Sequence, residues 1–351
     1  PAWEGDKTLD AFFDISRARA VDQALEASHN VTAIALNMMF VDRENIAWQV
    51  TGRYPDRKAG VGLVPSPGWD GQYDWEGYAD PMLFPYDINP VQGWLATANH
   101  RVASAGSGLQ LSNSWMPPER IERIEQKLSV GQQSLASTQQ LQLDEHSLLA
   151  IKVGQMLSEP YMQQSLKTAL GQLPASDKAA GERVLAQLMR FDGNMRADST
   201  PAAVYSVFLQ QSMEAIFADE LGGIGSSAWA ALVQAGDLSY SAQADHLLAR
   251  ADSPFWDDKR TAQVEDKASI LARSLVNTER WLTKQLGADS KQWRWGQLHT
   301  YYWQSGSSQW APYLPASQRA SVQSLRSYLD RGPVHPDRRL RPRGCGGEEA
   351  R

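Results

Sequence analysis

Gly93–Arg101 reads GWLATANHR: an apolar run, Trp94, Leu95 and Ala96, that ends on three polar side chains, Asn99, His100 and Arg101. The pattern predicts a buried strand that stops at a polar tip, and it raises the question of which polar residue does chemistry. Working outward, the 33–55 segment on its N-terminal side alternates. Ile34, Leu36, Met38 and Phe40 fall on one face, Asp42 to Asn45 supply a turn, and Ile46, Trp48 and Val50 resume the alternation. This predicts a β-hairpin. Between the hairpin and the 93–101 stretch, residues 56–92 are rich in Gly, Pro and aromatics. Trp69, Tyr73, Trp75 and Tyr78 predict a long ordered loop, because floppy linkers do not carry such rings.

On the C-terminal side the period changes to helical. PPERIERIEQKL, 117–128, opens on prolines with acidic residues in its first turn, a helix start. Helical patterns then run to about 288, broken by turn signals at Asp192-Gly193 and Leu221-Gly222-Gly223. KQWRWGQLHTYYW, 291–303, brings back strand-like aromatic character, and residues 9–29 at the other end predict one or two helices. The outline is α+β. We divide it into a sheet region with an aromatic loop (1–115), a helical region (116–290) and a return to the sheet (291–333). The 334–351 tail is Arg-rich and too poor in large apolar residues to form core.

Composition excludes several classes. The 351 residues are 42% apolar and 21% charged with a formal net charge of −6, ordinary for a globular protein and unlike a nucleic-acid binder. No apolar run reaches the roughly 20 residues that span a bilayer. One cysteine, Cys345, excludes an internal disulfide and a Cys-based metal site. There is no GxSxG elbow, HExxH, CxxC, P-loop or GxGxxG after a strand, and the six histidines show no metal spacing. Residue 1 is proline and PAWEGD reads like the middle of a longer chain.

Several blocks in order carry more. NMMFVDRENIAWQVTGRYPDRKAG (37–60), PSPGWDGQYDWEGY (65–78), NPVQGWLATANHR (89–101), PERIERIEQKL (118–128), RFDGNMRADSTPAAVYSVFLQQSMEAIF (190–217), WRWGQLHT (293–300) and LDRGP (329–333) together resemble the β-subunit of the penicillin acylase family. These are amidases with an N-terminal nucleophile, and they include acyl-homoserine lactone acylases and aculeacin-A acylase-like enzymes. The resemblance covers about residues 1–333, and LSNSW and APYL look most like the homoserine lactone acylase branch. It implies part of an Ntn-hydrolase αββα sandwich with a large helical region. It implies an N-acyl small-molecule substrate and, by family, a periplasmic location.

In that family a serine freed at the β-subunit N-terminus attacks an amide carbonyl, with its own α-amino group as base. An amine suits that role because its pKa, roughly 7.7–8, lies near working pH. The resemblance places the oxyanion-hole asparagine on Asn99 and the supporting arginine on Arg120. From spacing alone Asn99 would be an ordinary strand-end turn residue and Arg120 a solvated first-turn side chain. An Asn amide donates without charge, and an Arg fork can hold its orientation. His100 is expected to be structural. Trp69, Tyr73 and Trp75 are candidates for the acyl pocket, although core packing is the commoner use of such rings.

The nucleophile serine is expected outside this chain, in a missing portion holding the α-subunit and the N-terminal segment of the β-subunit. Ser112-Asn113-Ser114-Trp115 looks superficially like a β-subunit start. It follows Leu111 rather than a small residue, precedes MPPER rather than a strand, and lies after Asn99. The isolated chain is therefore expected to be inactive. No catalytic cofactor is implied. The family often holds a structural calcium through a backbone carbonyl that matches near Gly62 and an Asp soon after the asparagine. Residues 100–116 contain no Asp or Glu, which leaves calcium short of a ligand here. The tail after Pro333 departs from the family pattern as a reading-frame shift would make it depart. The competing expectation is a non-catalytic, Trp-rich periplasmic ligand-binding module or pseudoenzyme.

Overall fold

The computed structural model describes residues 5–103, 109–112, 115–235, 247–300, 302–303, 313, 315 and 325–326. The expectations for the 334–351 tail lie outside the described residues. Helices and sheets both occur, as the α+β reading expects, and the chain divides into two compact units near residue 141.

The first unit begins with helices α1 (Thr8–Arg17) and α2 (Val21–Ser28). Strand β1 (Asn37–Val41) pairs antiparallel with β2 (Ile46–Val50), Met39 facing Trp48. The hairpin forms where the sequence places it. Its inward face differs from the expected one. On β2 the buried residues are Ala47, Gln49 and Val50, while Ile46 and Trp48 stay partly exposed. β2 is the middle strand of a three-stranded sheet, and its Ala47–Gln49 face is the more deeply covered one, with Val50 buried as well. The Gln49 amide donates to Val50 O at 3.0 Å, which satisfies it in place.

The turn is fixed by one carboxylate. Asp42 accepts from the backbone N–H of Glu44, Asn45 and, across the chain, Val21 at the start of α2. These donors hold its pKa down at about 2.

Residues 56–92 are more regular than a loop. They contain β3 (Pro55–Arg57), its antiparallel partner β4 (Trp75–Tyr78), a 3-10 turn at Pro81–Leu83, and β5 (Tyr86–Ile88), which pairs with β2. The β3–β4 hairpin spans a long insertion, which hid the short strands from a pattern-based reading. Val50, Tyr54 and Phe84 form a small core, with the Tyr54 and Phe84 rings edge-on at 5.1 Å.

Residues 94–97, expected to be a strand, form no ladder among the described residues. A strand is defined by a neighbour's hydrogen bonds, and the apolar run signalled burial, not pairing. Helix α3 (Glu119–Leu128) follows as expected, with Pro118 at its N-cap and Ile121 buried. α4 (Leu135–Gln142) ends at the boundary between the units.

The second unit is helical. α5 (Leu148–Ser158), α6 (Pro160–Gly171), α7 (Ala175–Leu188), α8 (Thr200–Phe217), α9 (Ser227–Ala235) and α10 (Lys267–Leu286) make up most of it. α8 buries Ala202 to Tyr205, Val207 to Leu209, Met213 and Ile216, more than one stripe, so it is the central helix. α10 packs along α6, α7 and α8.

The FDGN block is a clip. Ser147 N donates to Gly193 O at 2.8 Å, and His146 Nδ1 meets Asn194 Oδ1 at 3.1 Å. The WRWG block docks on the start of α8. Thr200 donates to Trp293 O, Arg294 to Asp198 O, and Gly296 N to Ala197 O. Within 291–303 the strand-like expectation holds only for β6 (Tyr302–Trp303), which pairs with β7 (Leu325–Arg326). The rest is a 3-10 turn and α11 (Trp295–Leu298), because close docking of Gly296 onto Ala197 favours a helical turn.

Candidate functional site

Asn99 is built from its backbone upward. Ala98 before it is buried, whereas the Asn99 side chain is exposed. Its φ is +62°, a left-handed conformation that Asn tolerates and bulky residues resist. Its carbonyl accepts from Met116 N at 3.1 Å.

Four residues on, Arg120 lies in the first turn of α3. Its Nη1 donates to Asn99 Oδ1 at 3.0 Å. Thus the structure joins the two residues that the resemblance singled out, 21 positions apart. The contact also fixes the amide. With Oδ1 taken by a guanidinium, the Asn99 NH2 must be the outward group, and no described residue accepts from it. The result is an exposed, uncharged donor pair held by a permanent cation.

His100 takes a different role. Its Nδ1 lies 3.4 Å from Ala98 N, so a neutral ring accepts within the same turn. Burial lowers its pKa against the opposing pull of the Glu125 carboxylate, which keeps that acceptor available. It supports the turn, and no hydrogen bond joins it to a carboxylate among the described residues.

The aromatic candidates stay in their own hairpin. Trp69 is 86% exposed and Trp75 55% exposed, so the core-packing use of these rings does not hold. Trp75 opens β4, whereas Trp69 and Tyr73 lie in the segment between β3 and β4. Tyr73 is half-buried against Gly60, and Trp75 meets Tyr78 edge-on at 6.1 Å. No hydrogen bond or ring contact joins Trp69, Tyr73 or Trp75 to Asn99 or Arg120 among the described residues.

The calcium expectation is tested at Gly62. Its φ is +69°, and a Cβ there would lie 2.9 Å from Arg57 Nη2, so a guanidinium packs directly on it. The neighbouring carbonyl, Val61 O, accepts from Gln110 Nε2 at 2.8 Å. Gln110 thus brings an N–H donor to this turn and Arg57 a positive charge beside it. No group of three Asp, Glu, His or Cys side chains able to hold a metal occurs among the described residues. At this turn the described side chains offer a donor and a positive charge where a hard cation needs oxygens. Arg57 and Gln110 escaped the sequence reading because neither belongs to a metal or catalytic motif. The absence of acids after residue 99 was the one available signal.

Comparison with known proteins gives a consistent picture. The family model described as penicillin amidase matches residues 2–336. An acyl-homoserine lactone acylase QuiP of Pseudomonas aeruginosa is 52% identical over 331 residues, covering 94% of this chain and 39% of that protein. The QuiP of a Pseudomonas fluorescens strain is 56% identical over 303 residues, 86% of this chain and 38% of its own length. Penicillin acylase 2 proenzyme of a Pseudomonas species is 28% identical over 206 residues, 58% of this chain and 25% of that one. Among solved structures, a thermostable penicillin G acylase from Alcaligenes faecalis superposes with a TM-score of 0.56 at 21% identity, over 83% of this chain and 54% of that chain. That likeness shows a shared fold. The chain spans well under half the length of the acylases QuiP that it matches.

Proposed function

The chain belongs to the penicillin amidase family, and from that premise we propose that it supplies the oxyanion-stabilising part of an N-acyl amide hydrolase, with an N-acyl homoserine lactone as substrate. The observation that carries this reading is the Arg120–Asn99 hydrogen bond, which turns the Asn99 NH2 outward.

When a nucleophile adds to an amide carbonyl, the oxygen gains charge as the carbon becomes tetrahedral. A fixed donor already aimed at that oxygen stabilises the transition state more than the ground state. Arg120 prevents the amide from flipping, so the oxygen of Asn99 never faces the developing charge. In this reading the nucleophile is an N-terminal serine whose own amino group takes the hydroxyl proton. It lies in the portion of the precursor beyond this chain, along with the α-subunit. The serine forms an acyl-enzyme, the homoserine lactone amine leaves with the proton, and water hydrolyses the ester. No metal takes part. A periplasmic location, quorum quenching and maturation by self-cleavage belong to the same proposal. Among the described residues no helix is long and apolar enough to cross a membrane. The exposed Trp69 and Trp75 rings are proposed to shape the acyl pocket together with residues outside this chain.

The experiment is hydrolysis of an N-acyl homoserine lactone by this chain alone and by the chain joined to a relative's missing portion. We expect no turnover by the first and turnover by the second. Turnover by the chain alone would overturn the assignment of the nucleophile.

A further inference from the structure

We propose that the Gln110 amide holds the Val61–Gly62 turn with its N–H while the Arg57 guanidinium covers it, in the place where the family uses a cation, so that this part of the fold does not depend on calcium.

Three features carry the inference. First, the segment carrying Gln110 is anchored. Leu109 and Leu111 pack against the Val50, Tyr54 and Phe84 core, and Gln110 lies between them in sequence. Its amide nitrogen there donates to Val61 O at 2.8 Å, tying together positions 49 residues apart. A reversed amide would set two oxygens against each other without a cation between them, so the donor assignment follows from the contact itself.

Second, Arg57 lies over the Trp75 ring at 5.5 Å and against Gly62, whose missing Cβ leaves the room for it. It makes no ion pair among the described residues, so its charge is not cancelled locally. A permanent cation beside the turn repels a second one.

Third, two carboxylates of the same hairpin have partners of their own. Asp74 lies 3.9 Å from Lys58 Nζ, and Asp70 accepts from Gln72 N. From Val102 to Pro118 the sequence offers no acid at all.

The proposal does not rest on the amidase reading, and its test needs no activity. Terbium luminescence sensitised by Trp75, and the thermal midpoint of the chain in calcium and in EDTA, are measured on the same preparation. We expect no saturable terbium emission and no shift of midpoint between calcium and EDTA. Gln110→Ala is expected to lower the midpoint by roughly 2–4 °C, the shift that loss of one hydrogen bond produces in a domain of this size. Gln110→Asp is expected to regain part of that shift only when calcium is added. Saturable one-to-one terbium binding to the unsubstituted chain, or a midpoint raised by calcium, would overturn the proposal. So would a Gln110→Ala midpoint equal to that of the unsubstituted chain.

Discussion

Arg120 Nη1 donates to Asn99 Oδ1 at 3.0 Å, and the Asn99 carbonyl is held at the same time by Met116 N at 3.1 Å. The asparagine is therefore fixed at both ends, by its side-chain oxygen and by its backbone. Only the NH2 is left to meet a ligand.

The arginine is expected to act on rate more than on binding. Arg120→Lys keeps a charge but loses the planar fork that reaches Oδ1. In the intact acylase it should lower kcat by about 10-fold or more, the worth of a charged hydrogen bond, with KM nearly unchanged. Steady-state kinetics on an N-acyl homoserine lactone check this. A change in KM alone would place Arg120 in substrate binding instead.

Backbone and chemistry separate at Asn99. Its φ of +62° costs an alanine roughly 1–2 kcal/mol and costs glycine nothing. Asn99→Gly should therefore match or exceed Asn99→Ala in thermal stability while being equally inactive. Melting curves of the two variants beside their rates give the comparison.

Acid should loosen the first unit through Asp42. Its folded pKa, about 2, lies below the ordinary carboxylate value because three backbone N–H groups donate to the charged form. A depressed folded pKa gives stability that is complete above about pH 4 and is lost as pH falls toward 2. Asp42→Asn should unfold at a lower temperature at neutral pH and show a flatter dependence between pH 4 and 2. Thermal midpoints across that range measure it.

Gly181 is placed by close packing. It lies inside α7, where alanine normally favours the helix by about 1 kcal/mol. A Cβ here would come 2.5 Å from Leu170 Cδ2 and 3.5 Å from Val276. Leu170 and Val276 are both buried, so the clash should win. Gly181→Ala is expected to destabilise by roughly 1–3 kcal/mol in denaturant titration.

Much of this was legible in the sequence, for identifiable reasons. The β1–β2 hairpin, helix α3 and the helical character of the chain to about residue 288 followed from period and turn residues, which are local properties. The pairing of Asn99 with Arg120 is not local, and spacing alone favoured ordinary turn and surface roles. Only the ordered family blocks brought the two together, and the structure then supplied the hydrogen bond. The 94–97 strand failed because pairing depends on a neighbour that the described residues do not provide. The inward face of β2 was misassigned because the small Ala47 and the polar Gln49, which take the buried positions, carry no apolar signal beside Ile46 and Trp48. Arg57 and Gln110 went unseen because their partners are a glycine and a backbone carbonyl, which leave no pattern.

The most direct test of the account is kcat for an N-acyl homoserine lactone with Asn99→Ala in the intact acylase. Loss of one oxyanion donor predicts a fall of about 10²–10³-fold with KM little changed. A variant that turns over at the unsubstituted rate would contradict the assignment of Asn99.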